Sequence, residues 1–225
     1  AALNKYYKSE VKIKEAIREA GRKGLDIPAS KIIPKVPYGE CFQNWEGPLN
    51  YAVDIDQIST AEYWHLKDTQ PSFIVKEGLG NLVATLNNNF PIAQNTTVHK
   101  IDYSGTAIKL VTSKGTITAR GCICTVSIGV LKSEKIKFFP TLSSNVQKAL
   151  DGIQMGLLIK IPLLFDGSRL GFTENSFLQY DIEPEDIGSG CYFLAWPTGH
   201  DYIVGFIGGQ FAWNLSKQGQ NEIVE

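Results

Sequence analysis

The sequence predicts an α+β fold in which a mixed, mainly antiparallel sheet is flanked by helices. Apolar residues recur at helical spacing over residues 3–20, with Lys, Arg and Glu on the opposite face. Three later runs have the residue content of β-strands: 97–103, 107–113 and 116–126. Ser104-Gly105 and Lys114-Gly115 separate these runs, which indicates an antiparallel three-stranded meander.

The remaining elements follow from local signals. Ser59 and Glu62 form a capping box, as do Ser144 and Gln147 at the start of a helix over residues 143–152. Gly78-Leu79-Gly80 opens a helix that ends at the asparagine run 87–89, and a final helix begins near residue 214. Strands are predicted over residues 71–77, 157–165 (buried), 190–196 and 202–208.

Composition narrows the class of protein. The 225 residues are 43% apolar and carry a net charge of −1, which is typical of a globular chain without a nucleic-acid or membrane-surface partner. The absence of a signal peptide and of a long apolar run favours the cytoplasm and leaves the compartment open. The three histidines and four cysteines lack the spacing of metal ligands, so no metal is predicted.

Lys160 is the residue that points most directly to chemistry. It is the one charged residue in the run GLLIKIPLLF at residues 156–165. A buried ammonium is costly unless it is paired or faces water. Lys160 therefore either faces a water-filled cavity or lies on an edge strand, where a lysine blocks aggregation.

Six short motifs in order resemble the flavin-containing amine oxidase family, which includes monoamine oxidases, polyamine oxidases and lysine-specific histone demethylases. They are VKEGLGNLV at 75–83, VHKI at 98–101, IKLVTSKG at 108–115, CTVSIGVL at 124–131, IKFFP at 136–140 and the Lys160 strand. Each motif is weak alone, but the order and spacing make the set specific.

The resemblance implies roles for particular residues. It implies that Val98 offers its backbone to the adenine of FAD and that Thr125 and Val126 lie near the same end of the cofactor. It also implies that Lys160 is the lysine that holds a water against flavin N5. On the basis of this resemblance, Lys160 is predicted to be a catalytic lysine and not an edge-strand lysine.

The family's glycine-rich Rossmann segment and its C-terminal flavin-covering segment have no counterpart in this sequence. The resemblance thus predicts an internal stretch of a longer enzyme that does not retain FAD by itself. Residues 1–91 and 127–225 are expected to form the substrate-binding lobe. Residues 92–126 are expected to be the meander that packs on the FAD lobe.

The implied reaction is oxidative deamination of a small-molecule amine, with hydride transfer to the flavin and O2 as acceptor. The predicted substrate pocket comprises Leu158, Tyr192, Trp196 and Phe206, although dense aromatics are also common in cores. The expected partners are the amine and the missing FAD-binding segments of the same chain. Two alternatives stay open: a flavin-free binding module, and a related FAD-dependent desaturase or protoporphyrinogen oxidase-like enzyme.

Overall fold

The computed structural model describes residues 2–67, 69, 71–219 and 223, and it confirms the α+β prediction. The helices are α1 (Ala2–Arg22), α2 (Gly39–Asn44), a π-helix (Trp45–Tyr51), α3 (Thr60–His65), α4 (Leu79–Leu86), α5 (Ile128–Lys132), α6 (Ser144–Gly152) and α7 (Gly209–Ser216). The strands are β1 (Val98–Asp102), β2 (Ile108–Thr112), β3 (Gly115–Ala119), β4 (Lys137–Phe139), β5 (Leu158–Leu164), β6 (Ser176–Leu178), β7 (Tyr192–Ala195) and β8 (Tyr202–Gly208).

The chain divides into two compact units, each with one four-stranded sheet. Residues 77–155 form the unit with strand order β3-β2-β1-β4, in which β4 runs parallel to β1 and the other pairs are antiparallel. Residues 1–76 and 156–225 form the other unit, whose antiparallel sheet has the order β5-β8-β7-β6. The predicted division at residues 91 and 126 remains a prediction.

The core of the larger unit lies where α1 packs against the helices that follow it. Ile13 and Ile17 of α1 are fully buried together with Phe42 of α2 and Tyr63 of α3. A second cluster, Ala195, Trp196 and Ile203, lies on one face of the sheet. The predicted apolar face of the first helix is therefore only partly buried: Ile17 and Ala20 lie in the core, but Leu3, Tyr7 and Val11 are exposed.

Several boundaries were predicted correctly. The first helix extends to Arg22, and Ser59 Oγ accepts a hydrogen bond of 3.1 Å from the Glu62 N–H at the start of α3. The helix after Gly78 ends at Leu86, as the asparagine run indicates.

Two strand predictions are wrong, because strand-like residue content does not by itself provide a neighbouring strand. Residues 71–77 contain no strand, and Phe73 stays exposed. The third strand ends at Ala119, where its partner β2 begins at Ile108, so residues 121–127 lie outside any strand.

The ends of two helices and the burial of the Lys160 strand also differ from the predictions. The cap of α6 is Ser143, whose Oγ accepts from Val146 N–H at 3.4 Å, and Ser144 is the first helical residue. The last described helix ends at Ser216, and the positions predicted as helix beyond residue 219, apart from 223, lie outside the described residues. Strand β5 lies at a sheet edge with alternate residues exposed, so it is not a buried strand.

No helix among the described residues is long and apolar enough to cross a membrane.

Candidate functional site

The larger unit contains a cavity of about 970 Å³ bounded by α1, the π-helix, α3 and the sheet. Its volume lies in the range of small-molecule sites. We call it the aromatic pocket, because eight aromatic side chains line it: Tyr6, Tyr7, Tyr38, Trp45, Tyr51, Tyr63, Phe177 and Tyr192. Ring faces of this kind favour apolar groups and cations.

The π-helix supplies one wall of the aromatic pocket. Pro48 lies inside it and lacks the N–H that a regular helical turn requires. A side chain at Gly47 would come within 2.7 Å of the Ile55 nitrogen, and one at Gly208 would overlap the Pro48 carbonyl oxygen. The two glycines therefore let the π-helix pack directly against the segment after it and against β8. Short π-helical segments are rare and often occur at functional sites.

Glu46, on the π-helix, is a buried carboxylate in the pocket wall, with 2% of its surface exposed. It accepts hydrogen bonds from the Tyr63 hydroxyl and from Asn50 Nδ2, the latter at 2.8 Å. Among the described residues it forms no ion pair. A buried charge that is held only by neutral donors leaves room for a cationic partner.

Burial and then the Glu46 charge raise the pKa of Tyr63 far above its ordinary value. Burial also raises the pKa of Tyr192, whose hydroxyl donates to the Cys41 carbonyl at 2.8 Å. Both phenols therefore remain protonated donors at all physiological pH values. The Tyr192 ring meets Trp45 edge-on with centroids 5.3 Å apart, which fixes the pocket wall to the sheet.

A row of side chains links the predicted catalytic lysine to the aromatic pocket. Lys160 of β5 lies opposite Phe206 of β8, which lies opposite Tyr192 of β7. Opposed residues share a face of an antiparallel sheet, and Lys160 Nζ lies 5.8 Å from the Phe206 ring centroid. The Lys160 ammonium is exposed at the sheet edge, and Leu158 lies on the same face.

Trp196 lies apart from this row. It belongs to the core cluster with Ala195 and Ile203, and its ring meets Phe165 edge-on with centroids 5.3 Å apart. The structure thus brings together Lys160, Phe206 and Tyr192 and separates Trp196 from them.

The family model described as flavin containing amine oxidoreductase matches residues 39–225 of this sequence. The chain belongs to this family. The resemblance read from the motifs is therefore confirmed, and α1 lies before the matched region.

Three curated plant members of the amine oxidoreductase family are similar to the chain. Polyamine oxidase 4 of Oryza sativa subsp. japonica is 31% identical over an alignment of 187 positions, which covers 78% of this chain and 36% of that protein. Lysine-specific histone demethylase 1 homolog 1 of Arabidopsis thaliana is 25% identical over an alignment of 230 positions, which covers 94% of this chain and 27% of that protein. Lysine-specific histone demethylase 1 homolog 3 of Oryza sativa subsp. japonica is 30% identical over 61% of this chain and 17% of that protein. The chain thus spans only about a sixth to a third of these relatives' length.

Solved structures of redesigned putrescine oxidase share the fold. One superposes with a TM-score of 0.64 over 96% of this chain and 55% of that chain, at 11% sequence identity. A second variant gives a TM-score of 0.62. At this level of identity the match shows the fold alone.

The residues that the family resemblance assigns to FAD lie in the smaller unit. Val98 begins β1, and β4 pairs with β1 only from Lys100 onward, so within the described strands the β4 side of β1 is uncovered at Val98. Thr125 and Val126 lie in the exposed segment 121–127, outside any strand. The roles of Val98, Thr125 and Val126 toward FAD stay predictions.

Three residues that line the aromatic pocket were not predicted from the sequence: Arg18, Glu46 and Asn50. The one available signal was a glutamate set between Trp45 and the pair Gly47-Pro48. Its burial depends on Tyr63, 17 residues away in the sequence, which no local pattern reveals.

Proposed function

We propose that this chain forms the substrate-binding part of an FAD-dependent amine oxidase. One observation carries the proposal: a buried carboxylate, Glu46, lines a tyrosine-rich pocket, and Tyr192 of that pocket lies in one row of the sheet with Phe206 and Lys160. An alkylammonium is attracted both by ring faces and by a desolvated carboxylate. The family membership supports an amine as the substrate class.

In this proposal Glu46 binds the amine, and Lys160 acts at the reaction centre. Glu46 accepts the ammonium of the amine, and Tyr63 and Asn50 hold its carboxylate oriented by their hydrogen bonds. The faces of Phe206 and Tyr192 contact the alkyl part and exclude water. Lys160, at the exposed end of the row, holds a water at the reaction centre and stabilises negative charge that develops on oxygen.

Bound FAD supplies the hydride acceptor. Val98, Thr125 and Val126 would hold its adenine end through backbone groups, as their open position supports.

The test of the binding role is Glu46→Gln in the full-length, flavin-loaded protein, with n-hexylamine as the probe. Loss of the charge keeps the shape and should raise KM by about tenfold or more with a smaller change in kcat, because the lost contact is one to a charged group. Glu15→Gln, an exposed glutamate of α1, is the matched control and should leave KM unchanged. Equal KM values for Glu46→Gln and Glu15→Gln would exclude Glu46 as the amine site.

A further inference from the structure

Among the described residues, the charges that line the aromatic pocket are balanced, which is unexpected for a site that binds only cations. These residues comprise three acids and three bases: Glu10, Lys14, Arg18, Glu46, Lys67 and Asp181. Glu10 and Lys14 form an ion pair at 2.8 Å. A pocket for a dication would carry a surplus of acid, because each ammonium needs an anionic partner.

Arg18 has one buried nitrogen, Nε, without a hydrogen bond in the described part of the chain. Its guanidinium lies over the Tyr63 ring, with Cζ 5.9 Å from the centroid, and forms no ion pair with Glu46 in the described part of the chain. Buried polar groups of this kind normally have a partner, and the natural partner of a guanidinium is a carboxylate.

The position of Arg18 relates it directly to the proposed amine site. The ring that Arg18 covers belongs to Tyr63, whose hydroxyl donates to Glu46, so a cation and an anion both contact the same side chain. Arg18 lies on α1, which precedes the region that the family model matches.

We infer that the aromatic pocket takes an amine that also carries a carboxylate, with Glu46 holding the ammonium and Arg18 the carboxylate. This inference rests on the proposed function and narrows its substrate class to amino-acid-type amines. It predicts that such zwitterions bind better than amines of equal length with one or two positive charges.

The test compares three six-carbon ligands by calorimetry on the full-length protein at neutral pH: 6-aminohexanoate, n-hexylamine and 1,6-diaminohexane. We expect 6-aminohexanoate to bind roughly tenfold more tightly than n-hexylamine, because its carboxylate gains a charge-assisted hydrogen bond. The diamine should bind no more tightly than n-hexylamine. A wild-type protein that prefers the diamine to 6-aminohexanoate overturns the inference without any variant.

Arg18→Gln should remove the advantage of 6-aminohexanoate over n-hexylamine, and n-hexylamine should bind no more weakly than to the wild type, because a positive charge leaves the pocket. Arg22→Gln, an exposed arginine one turn further along α1, is the matched control and should keep the advantage. Arg18→Lys keeps the positive charge but lacks Nε, so it should keep part of the affinity advantage of 6-aminohexanoate. An equal loss of affinity for 6-aminohexanoate and n-hexylamine in Arg18→Gln contradicts the inference.

The two proposals fail in different ways. If n-hexylamine binds with full affinity to Glu46→Gln, the proposed function fails at this pocket. If n-hexylamine depends on Glu46 but the carboxylate of 6-aminohexanoate brings no advantage, only the role of Arg18 fails. If none of the three ligands binds, both are overturned.

Discussion

The Tyr63 hydroxyl donates a hydrogen bond to the carboxylate of Glu46 at the wall of the aromatic pocket. Both side chains are about 2% exposed, so the bond replaces hydration that the carboxylate would have in water. The pair joins α3 to the π-helix and orients the group that we propose as the ammonium acceptor. Folding and binding therefore depend on the same contact.

Tyr63→Phe should destabilise the protein by about 1–3 kcal/mol, because it leaves a buried carboxylate with one donor fewer. The measurement is urea unfolding at pH 7 followed by fluorescence. Tyr7→Phe, an exposed tyrosine of the same pocket, is the control and should change stability little. Equal stabilities for the two variants would show that the Glu46–Tyr63 bond contributes nothing net.

Asn44→Ala should destabilise by about 2–4 kcal/mol, because it removes several buried hydrogen bonds at once. Asn44 is fully buried; its Oδ1 accepts from the N–H groups of Gly188 and Gly190 at 2.9 and 3.1 Å, and its Nδ2 donates to the Gly190 carbonyl at 3.1 Å. Asn145→Ala, at an exposed position of α6, provides the comparison. Similar unfolding midpoints for both variants would contradict the role of Asn44 as the anchor of the loop before β7.

Gly208→Ala should destabilise by more than about 3 kcal/mol, since its methyl group would overlap the Pro48 carbonyl and push the π-helix away from β8. Gly80→Ala, inside α4 with open space around it, should instead stabilise by up to about 1 kcal/mol. Thermal unfolding of both variants measures the contrast. Tolerance of alanine at Gly208 would mean that the π-helix does not pack against β8 as described.

The Asp102 carboxyl should titrate with a midpoint of about 2 in an NMR pH series. Hydrogen bonds from Ser104, and then from Lys100, lower the pKa of Asp102 to about 2. Because the folded pKa lies below the ordinary value, the stabilisation is present above about pH 4 and is lost as pH falls through the folded pKa. In Ser104→Ala the midpoint of the Asp102 titration should rise. An unshifted midpoint would mean that Ser104 does not cause the lowered pKa of Asp102.

The sequence predicts features that depend on neighbours along the chain. Ser59 caps α3, because a capping box depends only on spacing within one segment. The periodicity of α1 predicts the helix, but its first apolar residues, Leu3, Tyr7 and Val11, are exposed. The lysine at 160 was identified because an ammonium in an apolar run is conspicuous. Its place in a row with Phe206 and Tyr192 follows from sheet register.

What the sequence does not predict depends on distant partners. Strand β4 pairs in parallel with β1 across some 35 residues, and no local pattern indicates that pairing. An extended run such as residues 121–127 reads like a strand whether or not a partner exists. The burial of Glu46 is likewise a property of the assembled pocket.

The most direct test of amine oxidation by this site is hydrogen peroxide release from n-hexylamine by the full-length, flavin-loaded protein and its Lys160→Met variant. The account predicts a fall in kcat of about 100-fold or more, the scale expected for loss of a group that handles protons in the reaction. Lys109→Met, an exposed lysine on β2, should retain wild-type turnover. Equal turnover by Lys160→Met and Lys109→Met, or amine binding without any peroxide from the wild type, would contradict the account.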